Sequence, residues 1–357
     1  MQSRNNIARV TRSAAKGTLQ SMTVAMEAKD RSSGRPAIRR VAVPAVAFAQ
    51  HPGLVDMLLA RYPDAKVNFE GGIHYQSEQE TIDYLRDYEA AIISFETISD
   101  RVLQALPELR VVSKLGVGLD RIDPIAMRRH GVRLGWFPGV NKRAVAELAV
   151  CLAMAGLRHV MPCNIAMRAG ERPLTRLGRQ LSGRVVGVHG VGEIGQEFIR
   201  LLQPFGCTIL GCDVKNRSAF YAQHGVEPVG LDELAARSEV LSIHLSLNPT
   251  TRGLYNSDML RSLRPDCVLI NTARGGIINE AALFRALTEN WIAAAGLDVF
   301  EVEPTTNDEI LALENVVATP HIGAGSVEAR WEMGVTAIDG LSNNFIPVPG
   351  RAPFEFF

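Results

Sequence analysis

Arg184-Val185-Val186-Gly187-Val188-His189-Gly190-Val191-Gly192-Glu193-Ile194-Gly195 is the stretch that decides the fold of this chain. Residues 184–188 read as an apolar strand. Glycines at 190, 192 and 195 follow, and residues 194–205 read as a helix. Glycine permits the tight turn and lets the backbone approach a pyrophosphate, while the helix N-terminus offers its unpaired N–H groups to the anion. A second strand is expected over residues 208–212. Asp213 closes it, near the ~20-residue spacing at which a carboxylate accepts hydrogen bonds from an adenosine ribose. That carboxylate would repel a 2′-phosphate and so favours NAD over NADP; Lys215 and Arg217, just beyond it, pull the other way.

Outward from this unit the alternation continues. A short helix is expected at 232–237, with strands at 240–244, 267–271, 293–297 and 316–318. With the first two strands these make six runs, which fit a doubly wound parallel sheet. On the N-terminal side a smaller α/β alternation precedes it, with strands at 39–43, 65–69, 90–94 and 109–114 and helices at 54–61 and 100–106. Residues 142–155, free of Gly and Pro, read as a helix, and 327–343 as a last helix that returns to the first domain. The expected division is an extension at 1–37, a substrate domain at 38–140 plus 324–357, and a dinucleotide domain at 141–323.

The 357 residues suffice for two domains, and the 46% hydrophobic and 21% charged fractions are those of a globular protein. Lys plus Arg and Asp plus Glu both number 38, so no global field draws nucleic acid or an anionic membrane. No apolar run reaches the ~18 residues of a membrane-spanning helix. Cys151, Cys163, Cys207, Cys212 and Cys267 are odd in number and lack C-x-x-C spacing; they read as small buried hydrophobes in a reducing compartment, which points to the cytoplasm. Residues 1–37 carry Arg4, Arg9, Arg12 and Lys16 and no acidic residue before Glu27. They read as a disordered extension, as a start placed upstream of Met22 or Met26, or as an organelle-targeting segment. His51 and His74 have no metal-ligand spacing, and no metal is expected.

Three further residues each follow an apolar run: Arg274 in Asn271-Thr272-Ala273-Arg274-Gly275, Glu303 in Phe300-Glu301-Val302-Glu303-Pro304, and His321 in Thr319-Pro320-His321-Ile322-Gly323. Alone, they read as a surface ion-pair partner, a solvated carboxylate and a capping histidine. Together, at successive strand ends beside a dinucleotide loop, they suit hydride transfer. An arginine grips a carboxylate in a two-pronged hold and polarises a carbonyl. Histidine titrates near neutrality and can exchange a proton with a hydroxyl, and a carboxylate beside it fixes its tautomer. His189 reads as packing or a local hydrogen bond, His244 as structural or lining the cofactor crevice, and Trp331 as packing or a wall of a substrate pocket.

These motifs, with Leu115-Gly116-Val117-Gly118-Leu119-Asp120, Ala144-Val145-Ala146-Glu147-Leu148 and Gly296-Leu297-Asp298-Val299-Phe300, give the chain a resemblance to the D-isomer-specific 2-hydroxyacid dehydrogenases, covering residues 41–343. The resemblance implies two Rossmann-like domains with the active site in the cleft between them, NAD as cofactor, a small D-2-hydroxy or 2-keto acid as substrate, and a homodimer. It implies Arg274 as the substrate-binding arginine, His321 as acid/base and Glu303 as its partner. It implies that Glu193, Ile194, Thr272, Ala273, Asp298 and Gly323 contact NAD, Asp298 at the nicotinamide amide. Gly116, Val117 and Gly118 would offer N–H groups to the substrate carboxylate, and Lys114 stands where phosphoglycerate dehydrogenases have a basic residue. Their usual arginine in the loop matching Ser94-Phe95-Glu96 is absent; Glu96 stands there and speaks against a phosphorylated substrate. The tryptophan common in the family after Gly170 is absent too, with no functional account. The same fold also serves NAD-sensing corepressors, the alternative reading.

Overall fold

A computed structural model describes residues 37–70, 77–172 and 177–355; the basic segment and His74 lie outside them. The chain divides into two compact units, one running to Asn141 and resuming at Val327, the other spanning Lys142–Ser326.

The first unit is built on parallel strands β1 (Val41–Val43), β2 (Lys66–Val67), β3 (Ala90–Ile93), β4 (Val111–Lys114) and β5 (Arg133–Gly135), in the order β2-β1-β3-β4-β5. Ala42, Ala91, Ile93, Val112 and Leu134 are buried under helices, which is why these strands read as unbroken apolar runs. β5 and two helices with clear caps add to the expected elements. Ser77 starts the helix Glu78–Leu85 by accepting from the Glu80 N–H. Asp123 accepts from Ile125 and Ala126 to start Pro124–His130, which Gly131 ends at φ 70°. The last helix, Val327–Gly340, lies against β4, where the Ser113 hydroxyl donates to the Ala337 carbonyl at 2.6 Å.

The second unit holds β6 (Val185–His189), β7 (Thr208–Cys212), β8 (Val226–Pro228), β9 (Val240–Ile243), β10 (Val268–Asn271), β11 (Ala294–Leu297) and β12 (Val316–Ala318). They form one parallel sheet of seven strands, not six, ordered β12-β11-β10-β9-β6-β7-β8. The added strand, β8, is a sheet edge only three residues long with a proline in it; proline is tolerated at an edge, and the run is too short for a periodic signal. The order reverses between β6 and β9, the point at which open α/β sheets bind ligands beyond the carboxyl ends of their strands. The helix Lys142–Leu157 presents Ala146, Ala149 and Ala153 as a buried, small-residue face that packs on β10, β11 and the helix Glu193–Leu202. The interior strand β10 is buried along its whole length. Among the described residues no single helix is long and apolar enough to cross a membrane.

Candidate active site

The glycine loop leaves β6 at the order reversal. Gly190 adopts φ 92°, a conformation that a side chain would strain, and its N–H donates to the Cys212 carbonyl at 2.8 Å. A Cβ on Gly195 would lie 2.2 Å from the Gly190 carbonyl oxygen, so glycine lets the helix Glu193–Leu202 start hard against the turn. At Gly192 a Cβ would meet nothing within 4 Å, which leaves open space at the helix start. Asp213, at the end of β7, accepts from the Val191 N–H at 2.7 Å and from the Lys215 N–H at 2.7 Å. Arg217 pairs with the same carboxylate at 3.3 Å. Glu193 is exposed and pairs with Lys142 at 2.7 Å, while Ile194 is half-buried. Thr272, past the end of β10, is buried, and its hydroxyl has no hydrogen-bond partner among the described residues. The cradle, the open helix start and that orphan hydroxyl suit a dinucleotide. NAD is the form that Asp213 suits.

Arg274, Glu303 and His321 follow β10, β11 and β12, which are neighbours in the sheet. Asn271 shapes the first loop, its side chain donating to the Arg274 carbonyl at 2.9 Å and accepting from the Ala273 N–H at 3.0 Å. The Arg274 guanidinium donates to the Ala273 carbonyl at 2.6 Å. A Cβ on Gly275 would sit 1.7 Å from the Phe300 carbonyl oxygen; only glycine lets the Arg274 loop lie against the Glu303 loop. The Glu303 carboxylate accepts from the Phe300 N–H at 3.1 Å and meets His321 Nδ1 at 2.6 Å. Burial alone would raise the Glu303 carboxyl; the hydrogen bond and charge of His321, with the Phe300 N–H and Arg274, outweigh it and hold the group below the usual carboxylate range. The Glu303 and His321 side chains are about a third exposed, so both are reachable by a small ligand.

His321 stands at φ 53°, in the left-handed region, which costs a non-glycine residue about 1 kcal/mol. The compensation comes from Asp298, 1% exposed at the end of β11. Its carboxylate accepts from the Thr319 hydroxyl at 2.5 Å, the Ile322 N–H at 2.8 Å and the Gly323 N–H at 2.7 Å. Burial raises the Asp298 carboxyl despite these three donors and the charge of His321. Asn271, Gly275 and Thr319 thus shape the site without appearing among the expected site residues. Asn271 and Gly275 sit inside the quoted motif; nothing in sequence showed that Thr319 and Asp298 would meet.

Of the other histidines, His189 is buried and hydrogen-bonds the Tyr255 hydroxyl at 2.8 Å. Burial, only partly offset by Asp213, pushes it down to about 4. His244 hydrogen-bonds Ser242 at 2.9 Å and packs its ring on Phe198; its Nδ1 is buried with no partner among the described residues, and burial pushes it down to about 3.

In the first unit, Gly116 takes φ 112° and the Val117 carbonyl accepts from the Trp136 indole at 3.0 Å, which fixes the loop at 116–118. Lys114 donates to the Ser94 carbonyl. Trp331 packs on His51, ring centroids 5.0 Å apart. Glu96, expected to speak against a phosphorylated substrate, is turned inward. It is 2% exposed and its carboxylate accepts from the Ser94 N–H at 2.6 Å, so it braces its own loop. Burial raises its carboxyl, with backbone N–H groups and Lys114 opposing. Among the described residues no group of three or more His, Cys, Asp or Glu could hold a metal ion.

Residues 150–323 match the family described as D-isomer specific 2-hydroxyacid dehydrogenase, NAD binding domain. The chain is 36% identical over 259 residues to a D-3-phosphoglycerate dehydrogenase of Mycobacterium bovis, a match covering 71% of this chain and 49% of the relative. It therefore spans about half the length of that relative. It is 32% identical over 281 residues to a hydroxypyruvate reductase of Thermotoga maritima, covering 77% of this chain and 91% of the relative. The crystal structure of a glyoxylate reductase from Paecilomyes thermophila superposes with a TM-score of 0.75 at 28% identity, covering 85% of this chain and 94% of that one.

Proposed function

The chain belongs to the D-isomer-specific 2-hydroxyacid dehydrogenase family, and from that premise we propose that it transfers a hydride between C2 of a small D-2-hydroxy acid and NAD. The observation that carries the reading is the 2.6 Å hydrogen bond from His321 to Glu303, made from neighbouring strand ends with Arg274 on the next strand over. Gly190, Gly192 and Gly195, the start of the helix Glu193–Leu202, Asp213, Thr272, Ala273, Asp298 and Gly323 would hold the cofactor, which when bound accepts or supplies the hydride. Glu303 keeps the neutral imidazole's proton on Nδ1. Nε2 then takes the hydroxyl proton in oxidation and returns one to the forming alkoxide in reduction. Arg274 holds the substrate carboxylate and stabilises charge that develops on the oxygen.

Hydroxypyruvate and glyoxylate, named by two of the relatives, are the first substrates to try. The lack of an arginine in the 94–96 loop and the engagement of Lys114 with Ser94 favour an unphosphorylated acid. The test is NADH oxidation, followed by absorbance, against glyoxylate, hydroxypyruvate, pyruvate and 3-phosphohydroxypyruvate. Turnover of the unphosphorylated acids is expected; NADH binding without turnover of any of the four would overturn the reading.

A homodimer is part of the same proposal. Met154, Val160, Ile165 and Met167 are 41–51% exposed on two consecutive helices, a face suited to a second copy. Sedimentation should give twice the 38.9 kDa of the chain, and a monomer at micromolar concentration would exclude it.

A further inference from the structure

We propose that Asp298 is a positioning residue for His321: its carboxylate and backbone clamp the 319–323 loop, and the clamp sets where the imidazole stands. The inference rests on the reading of His321 as the acid/base, and it adds a role to the contact with the nicotinamide amide that family resemblance gives Asp298. The donors come from both sides of His321. Thr319 gives its hydroxyl, and Ile322 and Gly323 give their N–H groups, at 2.5–2.8 Å. The His321 N–H itself donates to the Asp298 carbonyl at 2.8 Å. The clamp is anchored in turn, since the Asp298 N–H donates to the Asn271 carbonyl at 3.0 Å, at the end of β10.

The chemistry requires a carboxylate. Three donors converge on two oxygens, and an amide of the same shape would offer one acceptor and turn an N–H₂ toward a donor. Gly323 is part of the fit, because a Cβ there would lie 3.0 Å from the carboxylate. Loss of the Asp298 carboxylate would loosen the left-handed turn at His321, and the 2.6 Å bond to Glu303 would be made only part of the time.

Hydrogen exchange on the full chain without cofactor tests this directly, with Asp298→Asn and Thr319→Val beside wild type. The amides of His321, Ile322 and Gly323 should exchange roughly tenfold faster in Asp298→Asn, with β10 unchanged as the internal control. Asp298→Asn would also alter the proposed cofactor contact, so the kinetic readout is Thr319→Val, in which kcat on a 2-keto acid should fall roughly three- to tenfold while the Kd for NADH moves by less than about threefold. Unchanged exchange in Asp298→Asn with NADH binding weakened about tenfold would overturn the clamp and leave only a cofactor contact. If Asp298→Asn does not fold, Thr319→Val decides, since it removes one donor: faster exchange supports the clamp and unchanged exchange overturns it. The exchange measurement needs no activity, so a wild-type protein inert toward every keto acid would sink the proposed reaction and still leave the clamp decided.

Discussion

The strand ends of the two sheets are built differently. In the second unit, side chains after β11 and β12 pair with one another across loops, Glu303 with His321 and Asp298 with Thr319, and Asp298 also takes the Ile322 and Gly323 N–H groups. In the first unit the side chains end on backbone groups instead: Glu96 folds back on the Ser94 N–H, Lys114 reaches the Ser94 carbonyl, and Trp136 holds the Val117 carbonyl. The difference separates two tasks. A bond between two side chains fixes two functional groups relative to each other, as the proposed proton transfer demands, whereas a bond to backbone fixes the shape of a loop, which is all that a ligand-shaping role would need.

The largest effect should come from breaking the cross-loop network at its reacting end. His321→Ala is expected to lower kcat by about three orders of magnitude, within the range for a positioned acid/base, with NADH binding retained. A kcat within tenfold of wild type would place the proton transfer elsewhere. Glu303→Gln should cost less, roughly ten- to a hundredfold, because the ring keeps a hydrogen-bond acceptor but loses a charge. Glu303 is held below the usual carboxylate range, so its own protonation falls on the acid side of the profile, and Glu303→Gln should remove that acid limb. A profile that keeps the limb would remove Glu303 from the mechanism.

Gly275→Ala probes the same network through packing. The added methyl would collide with the Phe300 carbonyl and force the Arg274 and Glu303 loops apart, at a stability cost of about 3 kcal/mol. Urea denaturation measures the cost, and turnover should fall with it. A variant as stable and active as wild type would show that the loops do not need this contact.

How far these features were legible depends on the range of the signal. The dinucleotide loop could be read because its strand, glycines and helix lie within a dozen or so residues, and each reacting residue because it closes an apolar run. β8 escaped because Val226-Glu227-Pro228 is too short for a periodic pattern. The helices started by Ser77 and Asp123 had readable caps, but weak apolar runs behind them. The inward turn of Glu96, the partnership of His189 with Tyr255 and the clamp by Asp298 depend on partners that packing alone supplies.

His189 and Tyr255, 66 residues apart, carry the polar construction of the second unit under its glycine loop. Burial keeps His189 neutral down to about pH 4, whereas in the unfolded chain it binds a proton from about 6.5. The unfolded state therefore takes up the proton first, so stability is full above pH 6.5 and declines as pH falls toward 4, by about 2 kcal/mol at pH 5 from this residue. The double variant His189→Val/Tyr255→Phe should lose less between pH 7.5 and 5, as read by urea denaturation. An equal loss would assign the acid sensitivity to other groups.

The smallest effect, with the opposite sign, belongs to the first unit. Burial raises the Glu96 carboxyl above its unfolded value, so the folded state favours the protonated form and becomes less stable as pH rises through the folded-state titration. Glu96→Gln removes the titration and keeps an acceptor for the Ser94 N–H, so stability should change by only about 1 kcal/mol. The change should favour the variant more at pH 8 than at pH 5, and substrate preference should stay as in wild type, because the carboxylate faces its own loop. If Glu96→Gln instead admits 3-phosphohydroxypyruvate, the charge of Glu96 is felt by the ligand, and the contrast between a unit that reacts and a unit that only shapes would have to be redrawn.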